Sequence, residues 1–253
     1  MPRPWLRPFL FVYSLYAMLI FIALMLVIFP FVIVASFFGR IRGGNLIFKI
    51  CSVWADTWFF LVFIYHKKIY EVPHDKTRQY IFVSNHISYI DAAMLPVAYR
   101  QPVRALGKIE LARVPVFGFI YRNAIVTVDR SSPANRAKSM LILQSVIKKG
   151  ISVLVFPEGT FNLTHDPLKE FYDGAFRLAI ETQTPIKPVL FLDAYSRMHY
   201  SGVFRMSPGR SRIVYLEEIP VTGFTAADVP ALRDMVAAVM SEKLRQYHAP
   251  WLS

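Results

Sequence analysis

One long apolar run dominates the N-terminal part of the chain. No charged residue occurs between Phe9 and Phe38, a stretch longer than the ~20 residues that span a bilayer as a helix. It is also too long for the apolar core of a cleaved secretory signal. Pro30 removes a backbone donor inside the run and can bend a helix there. The pattern predicts a helix in the bilayer that either crosses it or bends and returns.

A second apolar stretch extends from Leu46 to Tyr65. It is interrupted by Lys49 and Asp56 and contains two tryptophans, a composition typical of an interfacial helix. Membrane helices usually carry an excess of Lys and Arg on the cytoplasmic side. Because basic residues flank the first run at both ends, this rule does not fix the orientation of the helix. Two helices embedded in one leaflet, and one crossing helix beside one lying flat, are both open. We assign residues 1–66 to this membrane element.

Beyond residue 66, short apolar runs alternate with helical patterns. This alternation predicts an α/β domain over residues 67–253, with a mostly parallel central sheet flanked by helices. One helix is delimited by Ser131 or Ser132 as its cap, Pro133 in its first turn and Gly150 after its end. A last helix is predicted over Asp228–Tyr247. The predicted strands are Tyr80–Ser84, Val103–Leu106, Ala124–Val128, Ile151–Phe156, Ile186–Leu192 and Ile213–Leu216.

Composition and charge narrow the possible partners. Hydrophobic residues make up 55% of the chain, and its mean hydropathy of +0.37 is high for a water-soluble domain. The net charge of +12 favours anionic partners such as phospholipid headgroups or phosphate-bearing substrates. The single cysteine, Cys51, excludes an internal disulfide. The histidines lack metal-ligand spacing and no nucleic-acid motif occurs, so we expect neither a metal nor a nucleic-acid partner.

The segment that follows the first predicted strand has the residues of a general base. A neutral imidazole such as His86 can take a proton near pH 7, and a carboxylate such as Asp91 can orient it. Five residues separate the two, so they meet only if His86 precedes the helix and Asp91 lies in its first turn. Ser88 as the helix cap allows this. The alternative is that Ser88 and Asp91 form only a capping box.

Two other strand ends carry polar residues. Glu158, Gly159 and Thr160 follow the predicted strand Ile151–Phe156, where Pro-Glu-Gly also suits a simple turn. Arg130 precedes a helix N-terminus, which favours an anionic group, although it can instead pair with Asp129. Lys108 follows a short strand and can meet phosphate or remain solvated.

In this order the segments resemble those of the glycerolipid acyltransferase family, typified by the 1-acylglycerol-3-phosphate acyltransferases. The resemblance extends from about Phe82 to Val189. Its first block is matched by Asn85, His86, Ser88 and Asp91. The later blocks are matched by 124–130, 156–160 and 185–189.

The resemblance implies a function and roles for these residues. His86, oriented by Asp91, would deprotonate a lysophospholipid hydroxyl that attacks an acyl thioester, with acyl carrier protein or CoA as the carrier and no other cofactor. The product would be phosphatidic acid. Asn85 and Ser88 would support the base, and the enzyme would act at the cytoplasmic face of the cell membrane. The implied acceptor-binding residues are Lys108, Arg130, Glu158, Gly159 and Thr160.

The chain departs from the family pattern at one position that bears on the acceptor. Phe161 stands where an arginine commonly follows Glu-Gly-Thr, and loss of that cation weakens the case for a phosphate-bearing acceptor. A lyso aminolipid, such as a lyso-ornithine or lyso-glycine lipid, is therefore an alternative acceptor. A membrane-anchored lipid-binding protein without turnover and a thioester hydrolase are the alternatives from other classes.

Overall fold

The structure is a computed structural model that describes residues 6–128 and 132–252, without the side chains of Pro133 and Arg136. It begins with α1, Arg7–Ser36, which runs unbroken through Pro30. A π-helical turn, Gly39–Gly43, leads into α2, Gly44–Leu61. The chain therefore reverses at this turn, where Gly39 has a φ of +77°, and not at Pro30, where the sequence offered a bend. Glycine adopts such a φ without steric cost.

Helices α1 and α2 form an antiparallel hairpin. At its open end the Trp58 indole N–H donates to the Ala17 carbonyl at 2.9 Å, and the Tyr16 hydroxyl donates to the Leu61 carbonyl at 3.1 Å. Near the turn, Val32 and Ile47 pack in one buried cluster. Within the described residues α1 alone is long and apolar enough to cross a membrane, by length and composition.

Both ends of the hairpin are attached to the rest of the protein. At the open end the Met206 N–H donates to Ser14 Oγ at 2.9 Å. At the turn the Arg104 guanidinium donates to the carbonyls of Arg40 (3.2 Å) and Ile41 (3.3 Å) and to Asn45 Oδ1 (2.9 Å). Arg104 is 4% exposed, and burial lowers its pKa to about 10. The hairpin therefore lies along the α/β part of the chain.

A seven-stranded sheet forms the centre of the protein. Its order is β1-β7-β6-β2-β5-β3-β4, and β6–β7 is its antiparallel pair, so the predicted mostly parallel sheet flanked by helices is confirmed. The strands are β1 Ile64–Tyr70, β2 Ile81–Ser84, β3 Val103–Lys108, β4 Val126–Val128, β5 Ser152–Val155, β6 Ile186–Phe191 and β7 Gly209–Tyr215. The remaining α-helices are α3 Ile90–Ala98, α4 Phe117–Ala124, α5 Pro133–Ile147, α6 Gly174–Thr182, α7 Ala194–Arg197 and α8 Val229–Gln246.

The predicted elements are found with shifted ends, and one strand is added. The helix expected over Leu46–Tyr65 stops at Leu61, because β1 begins at Ile64. Ser132 caps α5 by accepting the Asn135 N–H at 3.1 Å, while Ser131 lies outside the described residues. The division into segments 1–66 and 67–253 stays a prediction.

The parallel pairing decides which loops meet. Strands β3, β4, β5 and β6 all run parallel to β2, directly or through a neighbour. Their carboxyl ends therefore lie at one edge of the sheet, which is where open α/β sheets tend to bind ligands. The loops that follow β2 and β5 are adjacent at this edge.

Candidate active site

His86 and Asp91 are in hydrogen-bond contact. His86 lies in the loop after β2, and Asp91 is in the first turn of α3. His86 Nδ1 is 2.8 Å from Asp91 Oδ2, and the same oxygen accepts the N–H groups of Ile87 and Ser88, each at 2.9 Å. An ionised carboxylate only accepts, so the proton of a neutral imidazole lies on Nδ1. His86 Nε2 is then the basic nitrogen.

The capping interpretation of this segment is compatible with the catalytic one. Asp91 accepts the Ser88 N–H with the same oxygen that meets His86, which is one half of a capping box. The expected cap at Ser88 is wrong, because the N-cap of α3 is Tyr89 and no side chain caps the helix. Ser88 Oγ accepts the Ile90 N–H at 3.2 Å and donates to the Met198 carbonyl. The network that starts the helix therefore also orients the imidazole.

Asn85 joins the end of β2 to the end of β6. Its Nδ2 donates to the Phe191 carbonyl at 3.1 Å, and its Oδ1 accepts the Phe191 N–H at 2.8 Å. Asn85 is buried, so these two bonds satisfy groups that have no access to water. Its side chain fixes the point at which the His86 loop leaves the sheet.

The Glu158 carboxylate holds two loop segments together. Oε1 accepts the His86 N–H at 2.8 Å, and Oε2 accepts the Lys169 N–H at 2.9 Å. Glu158 is 2% exposed; burial raises its pKa to about 7, against the opposing effect of the two N–H donors. On the other side, the Asn162 N–H donates to the His86 carbonyl at 2.8 Å. The loop after β5 therefore holds the main chain of His86 from both directions.

Aromatic rings pack on the His86 imidazole. Phe156 stacks on it with centroids 4.2 Å apart, and Phe161 meets it edge-on at 4.4 Å. Phe161 also contacts Tyr89, with centroids 4.7 Å apart. The His86 side chain keeps 21% of its surface exposed. Position 161 thus supports the imidazole by packing and supplies no cation.

The other predicted site residues that the structure describes are spread along the same edge. Gly159 has a φ of +71°, which makes the tight turn after β5. Thr160 Oγ1 accepts from Lys169 Nζ at 2.7 Å. Lys108 ends β3, two strands away from β2 and thus roughly 10 Å across the sheet, and no contact in the described part of the chain joins it to His86. Arg130 lies outside the described residues.

Sequence reasoning missed Asn162, Lys169 and the packing role of Phe156. Asn162 and Lys169 lie in an irregular loop without a motif, so no spacing indicated them. A pocket of about 250 Å³ opens in this loop and is lined by Thr160, Phe161, Leu163, Thr164 and Lys169. Among the described residues, no group of three or more potential metal ligands occurs.

Comparison with known proteins places this geometry in context. A family model described as "Acyltransferase" matches residues 65–192. The human 1-acyl-sn-glycerol-3-phosphate acyltransferase beta is 31% identical over 208 residues, which cover 79% of this chain and 73% of that protein. A 1-acyl-sn-glycerol-3-phosphate acyltransferase from Limnanthes douglasii is 31% identical over 215 residues, covering 83% of this chain and 73% of the relative.

A solved structure is similar over nearly the whole chain. The crystal structure of the 1-acyl-sn-glycerophosphate (LPA) acyltransferase PlsC from Thermotoga maritima matches with a TM-score of 0.73 and 23% identity. The match covers 96% of this chain and 99% of that one. At this identity the similarity is one of fold.

Proposed function

The chain belongs to the acyltransferase family, and on that basis we propose that it acylates the free hydroxyl of 1-acyl-sn-glycerol-3-phosphate to form phosphatidic acid. The observation that carries the proposal is the 2.8 Å contact between His86 Nδ1 and Asp91 Oδ2, which leaves Nε2 as the base. The names of the curated relatives support the choice of acceptor.

In the proposed reaction His86 is the general base. Nε2 takes the proton of the acceptor hydroxyl while the hydroxyl oxygen attacks the thioester carbonyl. Asp91 stabilises the imidazolium that forms. The C–S bond then breaks, and the imidazolium returns the proton to the departing thiolate, which leaves as a free thiol. The ester is thus formed in a direct transfer. No nucleophilic side chain of the protein takes part in the transfer.

The acyl donor is a thioester of acyl carrier protein or of CoA. Both carriers are acidic or phosphate-bearing, and the chain's net charge of +12 favours their approach. The sequence and the contacts of the described residues support both carriers equally. Their comparison is therefore part of the experiment below.

We place the enzyme at the cell membrane, with its α/β part on the cytoplasmic face. Large side chains of the hairpin point away from the protein, with Phe9, Phe31 and Phe37 exposed by 64%, 63% and 83%. Apolar surface of this kind is stable where lipid covers it. Because the hairpin is hydrogen-bonded to the α/β part at both ends, this arrangement supports two helices embedded in one leaflet over one that crosses.

A lyso aminolipid is the second candidate acceptor. The observation that favours it is Phe161, which packs on His86 at a position where an arginine would have met a phosphate. An acceptor without phosphate would not need that cation. The amino group of such a lipid could also contact the ring of Tyr89, which is 52% exposed.

The proposal is tested with the full chain purified in detergent micelles. Lysophosphatidate, a lyso-ornithine lipid and monoacylglycerol are each offered with acyl carrier protein and CoA thioesters, and free thiol and lipid products are measured. We expect phosphatidate and thiol in equal amounts. Acylation of the aminolipid alone would show that the acceptor is the aminolipid and not lysophosphatidate. Release of thiol together with free fatty acid would indicate a thioester hydrolase. Lipid binding without thiol release would indicate a lipid-binding protein.

A further inference from the structure

The 250 Å³ pocket in the loop after β5 shares a wall with the candidate base. That wall is Phe161, whose ring lies 4.4 Å from the His86 imidazole. The other lining residues are Thr160, Leu163, Thr164 and Lys169. Lys169 is the charged member of this set. The pocket therefore combines one cation with small hydroxyl and apolar groups next to His86.

Lys169 is tied to the His86 loop through its main chain. Glu158 accepts the Lys169 N–H with one oxygen and the His86 N–H with the other, at 2.9 and 2.8 Å. The carboxylate is buried, so this bridge is shielded from competing water. The distance between the base and the start of the Lys169 side chain is therefore fixed by the fold.

The polar groups of the pocket suit an anion. Lys169 Nζ donates to Thr160 Oγ1 at 2.7 Å, and an ammonium group has further protons to donate. Thr160 Oγ1 accepts in that contact, so its own hydroxyl proton is directed elsewhere. Together the two side chains offer a positive charge and several donors, which match the oxygens of a phosphate group.

Resting on the proposed function, we propose that Lys169, assisted by Thr160, binds the phosphate of the lysophosphatidate acceptor and determines the preference for phosphate-bearing acceptors. Position 161 carries a phenylalanine, so the positive charge next to the base comes from position 169 instead. A phosphate in the pocket is separated from the imidazole by the Phe161 ring, and the hydroxyl of the same acceptor would reach Nε2 past the edge of that ring.

The test compares Lys169→Gln with Lys169→Arg and with Lys148→Gln. Lys148 is exposed and lines a separate pocket with Gln79 and Glu181, so its substitution removes the same charge elsewhere. Turnover and direct binding are both measured in micelles, with lysophosphatidate and with monoacylglycerol, which lacks the phosphate. Cooperative thermal unfolding of each variant is checked first.

For Lys169→Gln we expect the KM and Kd for lysophosphatidate to rise roughly ten- to a hundredfold, with kcat and monoacylglycerol binding nearly unchanged. Lys169→Arg should retain most of the affinity, and Lys148→Gln should match the wild type. Unchanged lysophosphatidate affinity in Lys169→Gln, or an equal loss for both ligands, would overturn the inference. A wild type that binds lysophosphatidate through Lys169 but makes no phosphatidate would instead refute the proposed function and leave the phosphate site standing.

Discussion

Replacement of Asp91 by asparagine removes the charge beside His86 while retaining an acceptor. Asp91 Oδ2 accepts three donors, from His86 Nδ1 and from the main chains of Ile87 and Ser88. The two N–H groups would repel an amide NH2, so we expect the asparagine oxygen to take the place of Oδ2. His86 then still donates from Nδ1, and its tautomer is preserved.

The cost of the substitution is the lost attraction between the carboxylate and the imidazolium. Across the 2.8 Å contact, an effective dielectric constant of ~20 gives roughly 6 kcal/mol for a full charge. About half of that applies where the proton is half transferred, or about 3 kcal/mol. This corresponds to a fall in kcat of about a hundredfold. The KM of the acceptor should change little.

The assay is thiol release at saturating acceptor and donor, with thermal unfolding as the control for folding. A kcat within about threefold of the wild type would show that the carboxylate does not assist the base. A loss beyond about ten-thousandfold in a folded variant would show that the amide has turned and the tautomer has changed, which would refute the reasoning from the two N–H donors.

Two further predictions concern stability. The pKa of Glu158 is raised to about 7 in the folded protein, so its contribution to the free energy of unfolding is fully present below about pH 4.5 and is lost as the pH rises through 7. Over this range the free energy of unfolding of the wild type should fall by about 2 to 3 kcal/mol relative to that of Glu158→Gln. Parallel pH profiles of unfolding for the two proteins would contradict this. Arg104→Met removes the guanidinium donor from the Arg40 carbonyl and from Asn45 Oδ1, whereas the Ile41 carbonyl keeps the Gly44 N–H. We expect a loss of about 2 kcal/mol or more with faster tryptic cleavage after Arg40 and Arg42. An unchanged melting temperature and cleavage pattern would show that Arg104 does not hold the hairpin.

The sheet was largely predictable because its central strands are buried and therefore mostly apolar. The six predicted strands correspond to β2 through β7. β1 was missed because it contains the polar residues His66, Lys67 and Lys68, which an edge strand tolerates and a pattern of apolar runs does not detect.

The position of the chain reversal depended on packing. Pro30 was the obvious candidate for a bend, yet α1 continues past it and the turn occurs at Gly39–Gly43. Arg104 donates to the carbonyls of this turn from β3. No local pattern in the sequence indicates a contact between residues so far apart in the chain.

The candidate site was predictable where its contacts are local. His86 and Asp91 are five residues apart, and the expected arrangement, with His86 before the helix and Asp91 in its first turn, is the one found. The Glu158 bridge and the packing of Phe161 on His86 connect segments that are distant in sequence. Such contacts depend on the tertiary arrangement of the loops, which a motif does not encode.

The role of His86 is tested most directly by the turnover of His86→Ala, with thermal unfolding and lysophosphatidate binding as controls. If Nε2 of His86 removes the proton from the acceptor hydroxyl, kcat should fall by at least roughly 10² to 10⁴ while folding and binding remain near those of the wild type. A folded His86→Ala variant that forms phosphatidate at close to the wild-type rate would contradict the account.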